Sequence, residues 1–413
     1  MSEKDRFLSA QEAAAELDVT LATLYAYASR GMLRSEAAPG EPRAKRYPRE
    51  DVLRLKERKE LRRDPERAAP KALHWGAPVL ESAITLVENN HLYYRGHDAV
   101  VLARSWSVEE VAALIWTGDR SAAADLFAGE PPVLPDSRIF DRQDLSPVER
   151  CQVAVPLAGA LDLSAWDLRP RSVMRTGARI LRVLAATAIG ARSTGSGPIA
   201  SVLQSGWAPG RPAVAEALGA ALILCADHEL NVSAFTARCV ASAAATPWDV
   251  VSAGLAALKG GKHGGYTQRV EALFREAGTA EAARETLAAR LRRGEEIPGF
   301  GHTLYPGGDP RAAALLEIAA ATQPELATSL IEAARELIGE LPNLDFGLVT
   351  LARGLGLPER TPLALFALGR SIGWIGHALE EYALDRLIRP RAAYVGEVPG
   401  EERGEPAGTL QET

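Results

Sequence analysis

Along most of the chain, apolar residues recur three and four positions apart, in Val214–Leu224, Ala282–Leu291, Ala312–Ala321, Leu326–Leu341 and Leu363–Leu379. That spacing puts them on one side of a helix, whereas runs that alternate apolar and polar residues, as a half-buried strand does, are scarce. Alanine and leucine, both strong helix formers, dominate these segments, so residues 76–396 are expected to form an all-α body of many packed helices. The first seventy residues follow a different rhythm. Ser9 and Glu12 form a capping-box pattern ahead of the apolar positions Ala13, Ala14 and Leu17, and that helix stops near Asp18. Thr20 is placed to cap a second helix over Leu21–Ser29, which Gly31 ends in the left-handed position. Pro39–Tyr47 is a basic hairpin, and a third helix is expected from Pro48 to about Arg63. Two prolines between Asp64 and Pro70 break that helix, so 64–75 is a linker, while the charged, Gly/Pro-rich 397–413 is a loose tail.

Composition adds limits. With 413 residues, 47% of them hydrophobic, the chain can bury a large core in two or three domains. Its net charge of -6 is unevenly spread, because residues 43–63 hold ten Lys/Arg against four Asp/Glu. A polyanion contact belongs there. Cys151, Cys225 and Cys239 are too few and too widely spaced for a disulfide framework or a metal site, which points to a reducing cytoplasm. No secretory leader opens the chain and no apolar stretch approaches the ~20 residues that span a bilayer, so no membrane role is expected.

Four short stretches gather ionisable residues inside otherwise apolar helical text: 226–229, 262–265, 298–302 and 342–346. They contain His228, His263 and His302, three of the seven histidines. His263, followed by two glycines and then an amphipathic run, is placed at a helix N-terminus, where the dipole keeps imidazole neutral and able to donate a hydrogen bond. Asp345, between Leu344 and Phe346, is a carboxylate in partly apolar surroundings, with its pKa raised toward general-base duty. Singly, a His before Gly-Gly reads as a turn residue and an Asp after Pro-Asn as a cap. Together, base and electrophilic donor make a pair suited to a carbon acid.

These motifs carry a family resemblance. Pro298-Gly299-Phe300-Gly301-His302 followed by Asp309-Pro310-Arg311 resembles the citrate synthase signature, and 227–233, 262–265, 342–346, 369–374 and 389–391 match further blocks in the right order. The resemblance implies a two-domain helical fold, with a large domain over 76–262 and 363–396 and a small one over 263–362. It also implies that Asp345 removes a methyl proton from an acetyl thioester, that His263 stabilises the enol, and that His302 polarises the oxaloacetate ketone. His228, Arg311 and Arg370 would bind oxaloacetate, and Arg389 would reach the site of a partner subunit, making a homodimer obligatory. Guanidinium suits a dicarboxylate because its planar fork matches a carboxylate. No metal and no permanently bound cofactor is required, acetyl-coenzyme A being a co-substrate. The activity implied is that of an acyltransferase converting the acyl group to alkyl on transfer, in the tricarboxylic acid cycle.

Three positions depart from the family: Tyr266 beside the first catalytic histidine, Thr303 where an arginine is frequent, and Cys225 where many relatives have histidine. Acetyl- and propionyl-coenzyme A differ by one methylene, worth only ~1–3 kcal/mol in an apolar pocket, so a 2-methylcitrate synthase is the alternative enzyme.

The segment 1–63 resembles the winged helix-turn-helix domains of MerR and excisionase-like proteins, chiefly in 8–14, 23–25, 31–33 and 46–52. That resemblance puts Thr20, Thr23 and Tyr25 on or beside a recognition helix and Arg30, Arg43, Lys45 and Arg46 on DNA phosphates. Leu21 and Tyr25 stand where such domains commonly show basic residues, so the helix is poor in groups that read bases. A protein contact through this module is the alternative, and a metabolite-sensing DNA-binding regulator with reduced catalysis is the rival to the enzyme.

Overall fold

The structure, a computed structural model, describes residues 7–30, 32–38, 41–49, 51–53, 55–56, 80–129, 132, 142, 144–392 and 394–396. The chain divides into two compact units, Met1–Glu81 and Ser82–Thr413.

In the first unit, β1 (Phe7–Ser9) leads into α1 (Ala10–Glu16), α2 (Leu21–Ser29), β2 (Glu36–Ala38) and β3 (Glu41–Pro48). The capping box forms as the sequence predicts: Ser9 Oγ accepts the Glu12 N–H, and the Glu12 carboxylate accepts the Ser9 N–H at 2.8 Å. Thr20 caps α2 by accepting the Thr23 N–H. Strands β2 and β3 pair antiparallel as the expected hairpin, and β1 joins the other edge of β3, a third strand that a three-residue segment does not announce in sequence. Leu8, Ala13, Ala14, Leu17, Leu24, Leu33, Tyr47, Val52 and Leu55 form its core. Pro48 closes β3, so the helix that follows begins after it. Gly31, the hairpin tip 39–40, most of the third helix, the linker and the tail lie outside the described residues.

The second unit opens with a small antiparallel sheet, β4 (Thr85–Glu88), β5 (His91–Tyr94) and β6 (His97–Asp98), which tempers the all-α expectation. Helices follow: α3 (Ala99–Ser105), α4 (Val108–Thr117), α5 (Ala123–Leu126), α6 (Pro147–Leu161), α7 (Pro170–Ala188), α8 (Ile199–Trp207), α9 (Val214–Leu224), α10 (Val232–Ser242), α11 (Pro247–Leu258), α12 (Thr267–Ala277), α13 (Ala283–Arg292), α14 (Pro310–Ala319), α15 (Glu325–Ile338), α16 (Leu344–Gly354) and α17 (Thr361–Leu384). A helix that is apolar on every face can only be buried, and α17 is one, with Leu363, Leu365, Phe366, Ile372, Trp374 and Ile375 spread around it. It runs through the larger core, against α7, α9, α10 and α11.

A smaller second core gathers Val270, Leu273, Phe274, Leu287, Phe300, Leu330, Phe346 and Val349 from α12, α13, α15, α16 and the 298–302 loop. Helix α16 belongs to both: Leu344, Leu348 and Leu351 face the larger core, while Phe346 and Val349 face the smaller. The helical period thus lays Asp345, in its first turn, along the seam. Among the described residues no helix is long and apolar enough to cross a membrane.

Candidate active site

Two loops frame the seam. Gly301 N–H donates to Leu341 O at 2.8 Å, Asn343 N–H donates to Gly299 O at 2.9 Å, and Phe300 and Pro342 form an antiparallel bridge between them. The loop carrying His302 is thereby pinned to the loop carrying Asp345. Gly299 and Gly301 take φ of 93° and 75°, a region closed to most side chains, and a Cβ on Gly299 would press Phe346 at 3.1 Å. Asn343 then caps α16, its Oδ1 accepting the Asp345 N–H at 3.1 Å while its Nδ2 donates to Gly301 O.

Asp345 Oδ1 is buried without a hydrogen-bond partner. Burial pushes its carboxyl up to about 7, against the pull of Arg311 and Arg370. The imidazoles move the other way. Burial, helped by Arg370, lowers His263 to about 3; burial and Arg311 lower His302 to about 4; His228 falls well below the ordinary range through burial, Arg311 and Arg370. Helix-dipole placement was the sequence argument for a neutral His263, and burial is the main cause instead. His263 precedes a 3-10 turn, Gly264–Tyr266, rather than α12 itself.

Neutral rings leave the proton position to be set by hydrogen bonds. His302 Nδ1 accepts the Leu304 N–H at 3.1 Å, so its proton sits on Nε2, ready to donate. His263 Nε2 lies 2.8 Å from Ser233 Oγ, which also lies 2.7 Å from Asn231 Oδ1. Asn231 Oδ1 already accepts the N–H groups of Ser233 and Ala234 as the cap of α10. The Ser233 hydroxyl donates to Asn231 Oδ1, and its oxygen holds His263 Nε2 in place. His228 Nε2 lies 2.9 Å from Tyr305 Oη, and the His228 and His302 rings meet edge to face at 5.3 Å.

The cations are held differently. Arg311 is gripped by Asp309 through Nε at 2.9 Å and Nη2 at 2.7 Å, both residues being buried, and Asp309 Oδ2 also accepts the Leu344 N–H. Against burial, that carboxylate holds Arg311 above its usual range. Arg370, only 1% exposed, has no carboxylate within ion-pair distance among the described residues; its Nε donates to Cys225 O at 2.8 Å. A buried guanidinium without a carboxylate is costly, and an anionic ligand is what would repay it. Gly373 lets α17 come this close: its N–H donates to Ala226 O at 2.9 Å, where a Cβ would sit 2.4 Å from that oxygen.

Sequence reasoning missed the frame around these groups. Asp227, fully buried, accepts from Thr85 Oγ1 at 2.6 Å and pairs with His377 Nε2 at 3.2 Å. His377 Nδ1 faces Arg238 Nη1, which can only donate, and Arg238 continues to Glu380 and Glu381 at 2.7 and 2.9 Å. This chain ties β4, α10 and α17 to the residue before His228. Asp309 and Ser233 lie inside the family motifs but carried no role of their own, and Tyr305 lies between two of those motifs. Their signal was present only as polar residues within apolar text.

Other expected residues stay apart. Arg389 is exposed beyond α17, with no hydrogen bond or ion pair among the described residues, so its own chain does not bring it to Arg311 and Arg370. Tyr266 is half-buried, its hydroxyl 3.5 Å from Glu296 and Arg269 lying over its ring; Thr303 is exposed. In the N-terminal unit, Thr20 and Thr23 bond to each other at 3.0 Å, and Tyr25, Arg30 and Lys45 are exposed. Arg46 pairs with Glu36 at 3.3 Å and lies over the Phe7 ring, so it is partly taken up by the sheet. The Arg43 side chain is outside the described residues. Among those residues no group of three or more His, Cys, Asp or Glu could hold a metal ion.

A carboxyl near neutrality, three uncharged imidazoles with fixed partners and two buried guanidiniums define a site for condensing a carbon acid with an anionic acceptor. The citrate synthase C-terminal domain family matches residues 72–391, and the chain belongs to the citrate synthase family, whose members convert an acyl group to alkyl on transfer. The MerR helix-turn-helix regulatory family matches residues 8–64.

Citrate synthase 2 of Bacillus subtilis is 30% identical over 79% of this chain and 98% of its own length. A 2-methylcitrate synthase of Mycobacterium tuberculosis is 32% identical over 78% and 89%. The citrate synthase structure from Thermotoga maritima superposes with a TM-score of 0.65 at 26% identity, covering 80% of this chain and 98% of that one. That from Thermoplasma acidophilum, in a ternary complex with carboxymethyl coenzyme A and oxaloacetate, shares the fold with a TM-score of 0.64 at 24% identity, covering 80% of this chain and 97% of that one.

Proposed function

We propose that the seam condenses acetyl-coenzyme A with oxaloacetate and releases citrate and coenzyme A, with the roles carried by the residues gathered there. Asp345 takes the methyl proton. His263, its ring held at Nε2 by Ser233 Oγ, meets the thioester oxygen and stabilises the enol. His302 presents Nε2–H to the ketone, and the new carbon nucleophile attacks it. Arg311, Arg370 and His228 hold the oxaloacetate carboxylates, and water then hydrolyses the thioester. The observation that carries this reading is the lone Asp345 Oδ1, buried and unpartnered, on a carboxyl raised to about 7. A base poised near the working pH is what proton abstraction from carbon needs.

The test is thiol release from acetyl- or propionyl-coenzyme A in the presence of oxaloacetate. Release that vanishes in Asp345→Asn supports the assignment, and the faster acyl donor names the substrate. Release that survives in that variant would remove Asp345 from the mechanism. Arg389 points to a second subunit, since its exposed segment leaves it free to complete a neighbour's site. Light scattering that finds an active monomer would refute that.

A DNA contact is the second proposal. The winged arrangement of α2 and the β2–β3 hairpin, with Lys45 exposed on β3 and Arg30 exposed at the end of α2, favours phosphate contacts over base readout. DNA affinity that tracks oxaloacetate or citrate would support regulation; affinity indifferent to both would leave the module outside metabolite sensing.

A further inference from the structure

Apart from the seam's catalytic groups, a cavity of about 310 Å³ lies between helices of the two cores. Glu149 and Lys259 reach it from α6 and the end of α11, whereas Glu271, Arg275, Arg353 and Arg360 come from α12, the end of α16 and the start of α17. It is not the cleft by another name. Arg353 is eight residues beyond Asp345 on α16, about 12 Å at the helical rise, and Arg360 precedes Arg370 by ten residues, about 15 Å. On α12, Glu271 and Arg275 share a stripe, while Tyr266 and Arg269 turn to Glu296.

The charges in this cavity are unevenly satisfied. Lys259 pairs with Glu149 at 2.9 Å. Arg275, Arg353 and Arg360 make no side-chain hydrogen bond or ion pair among the described residues, and Arg353 is steadied over the Phe274 ring at 5.2 Å. Of the remaining carboxylates, Glu359 is exposed, and Glu271 Oε1 is engaged by the Arg360 backbone N–H at 3.1 Å. Burial raises the Glu271 carboxyl, against the pull of the Arg360 N–H and of Arg275. Three exposed guanidiniums therefore share the cavity with two carboxylates, Glu271 and Glu359, with which they form no ion pair among the described residues. Arg360 is also held at φ 66°, a left-handed conformation that side chains other than Gly, Asn and Asp seldom take. Such strain persists where the surroundings impose it, and it concentrates at ligand clamps and switches.

We infer that this cavity binds a small dianion, a phosphate or a dicarboxylate, and that the ligand acts as an effector of the cleft. Guanidinium forks match both chemistries. The cavity touches both chain crossings between the cores, 259–267 just after α11 and 354–361 just before α17, so a ligand there favours one arrangement of the cores over another. The first crossing carries His263 and the second leads to Arg370. The binding half stands alone, while the effector half rests on the condensing reading.

The experiment is calorimetric titration of the full chain with inorganic phosphate and, separately, malonate, on the wild type and on Arg353→Ala, Arg360→Gly and Arg370→Ala. Glycine accepts φ 66°, so Arg360→Gly removes the guanidinium while relieving the backbone. The expected result is a site that survives Arg370→Ala and weakens about tenfold in Arg353→Ala and Arg360→Gly. The tighter of the two anions identifies the source. Binding lost in Arg370→Ala but kept in the other two would place the anion in the cleft and overturn the inference, as would no binding below concentrations on the order of 10 mM. In the thiol assay, the same anion is expected to shift the oxaloacetate KM about fivefold in the wild type and not in Arg360→Gly. An unchanged KM with the calorimetric site intact would overturn the effector half alone. Absence of thiol release from the wild type would sink the condensing reading, and calorimetry would still decide the site.

Discussion

Arg311 and Asp309 in the cleft meet at 2.7 Å with side chains 3% and 0% exposed, whereas Arg34 and Asp51 in the N-terminal unit meet at 2.8 Å with the guanidinium 74% exposed. The distances are nearly equal and the consequences are not. In the cleft, water is excluded, so each charge either finds a partner, waits for an anion or shifts its acidity. In the N-terminal unit, solvent screens the Arg34 guanidinium, and such an exposed pair contributes little. One region does chemistry through what burial does to a group, and the other offers a surface whose charges act together.

The sharpest way to break that contrast is Asp345→Asn. Thiol release should fall by about 10³-fold, while oxaloacetate still protects the protein against heat. The same variant tests burial by its pH dependence. A raised carboxyl means the folded chain keeps a proton that the unfolded chain loses between its ordinary carboxylate range and about 7. Folding stability from this group is therefore lost as pH rises through that window. Asp345→Asn should melt higher than the wild type at pH 8 and match it at pH 3, by differential scanning calorimetry.

Next in size, Arg370→Met and Arg311→Met should both raise the oxaloacetate KM, by about 100-fold. Only Arg311→Met should also destabilise the fold, by about 3–5 kcal/mol in denaturant titration, because it strands the buried Asp309. Equal stability losses would mean that the Arg311–Asp309 pair and the carboxylate-free Arg370 are not distinct after all. A smaller effect is expected from pH alone: kcat/KM should climb about tenfold per unit below about 7 and then level. With His302 near 4 and His263 near 3, neither imidazole adds a limb above pH 5. The smallest belongs to the exposed region. Lys45→Ala should lower the salt dependence of DNA binding by about one phosphate contact, with thiol release untouched.

How far the sequence could be read follows the same division. Helical periodicity and caps such as Ser9 and Thr20 depend on neighbours in the chain, and they were legible, whereas the cap of α16 is Asn343 and not Asp345. The helix of residues 361–384 was legible as a helix from the spacing of Leu363–Leu379, but its burial on every side was not. The residues that tune the site were harder to see because their partners are distant: Asp227 and His377 are 150 positions apart. Tyr305 faces His228 across 77, and nothing local marks Asp309 as the holder of Arg311 until both are seen buried. Strand β1 escaped notice because three residues acquire strand character only from the hairpin they join.

The backbone staple between the loops at 299–301 and 341–343 bears on how such an enzyme can change its substrate. With the loops that lead to Asp345 and His302 fastened to each other, drift that moves one carries the other, and their spacing is withheld from gradual variation. Variation is left to neighbours outside the staple, such as Tyr266, whose hydroxyl turns to Glu296.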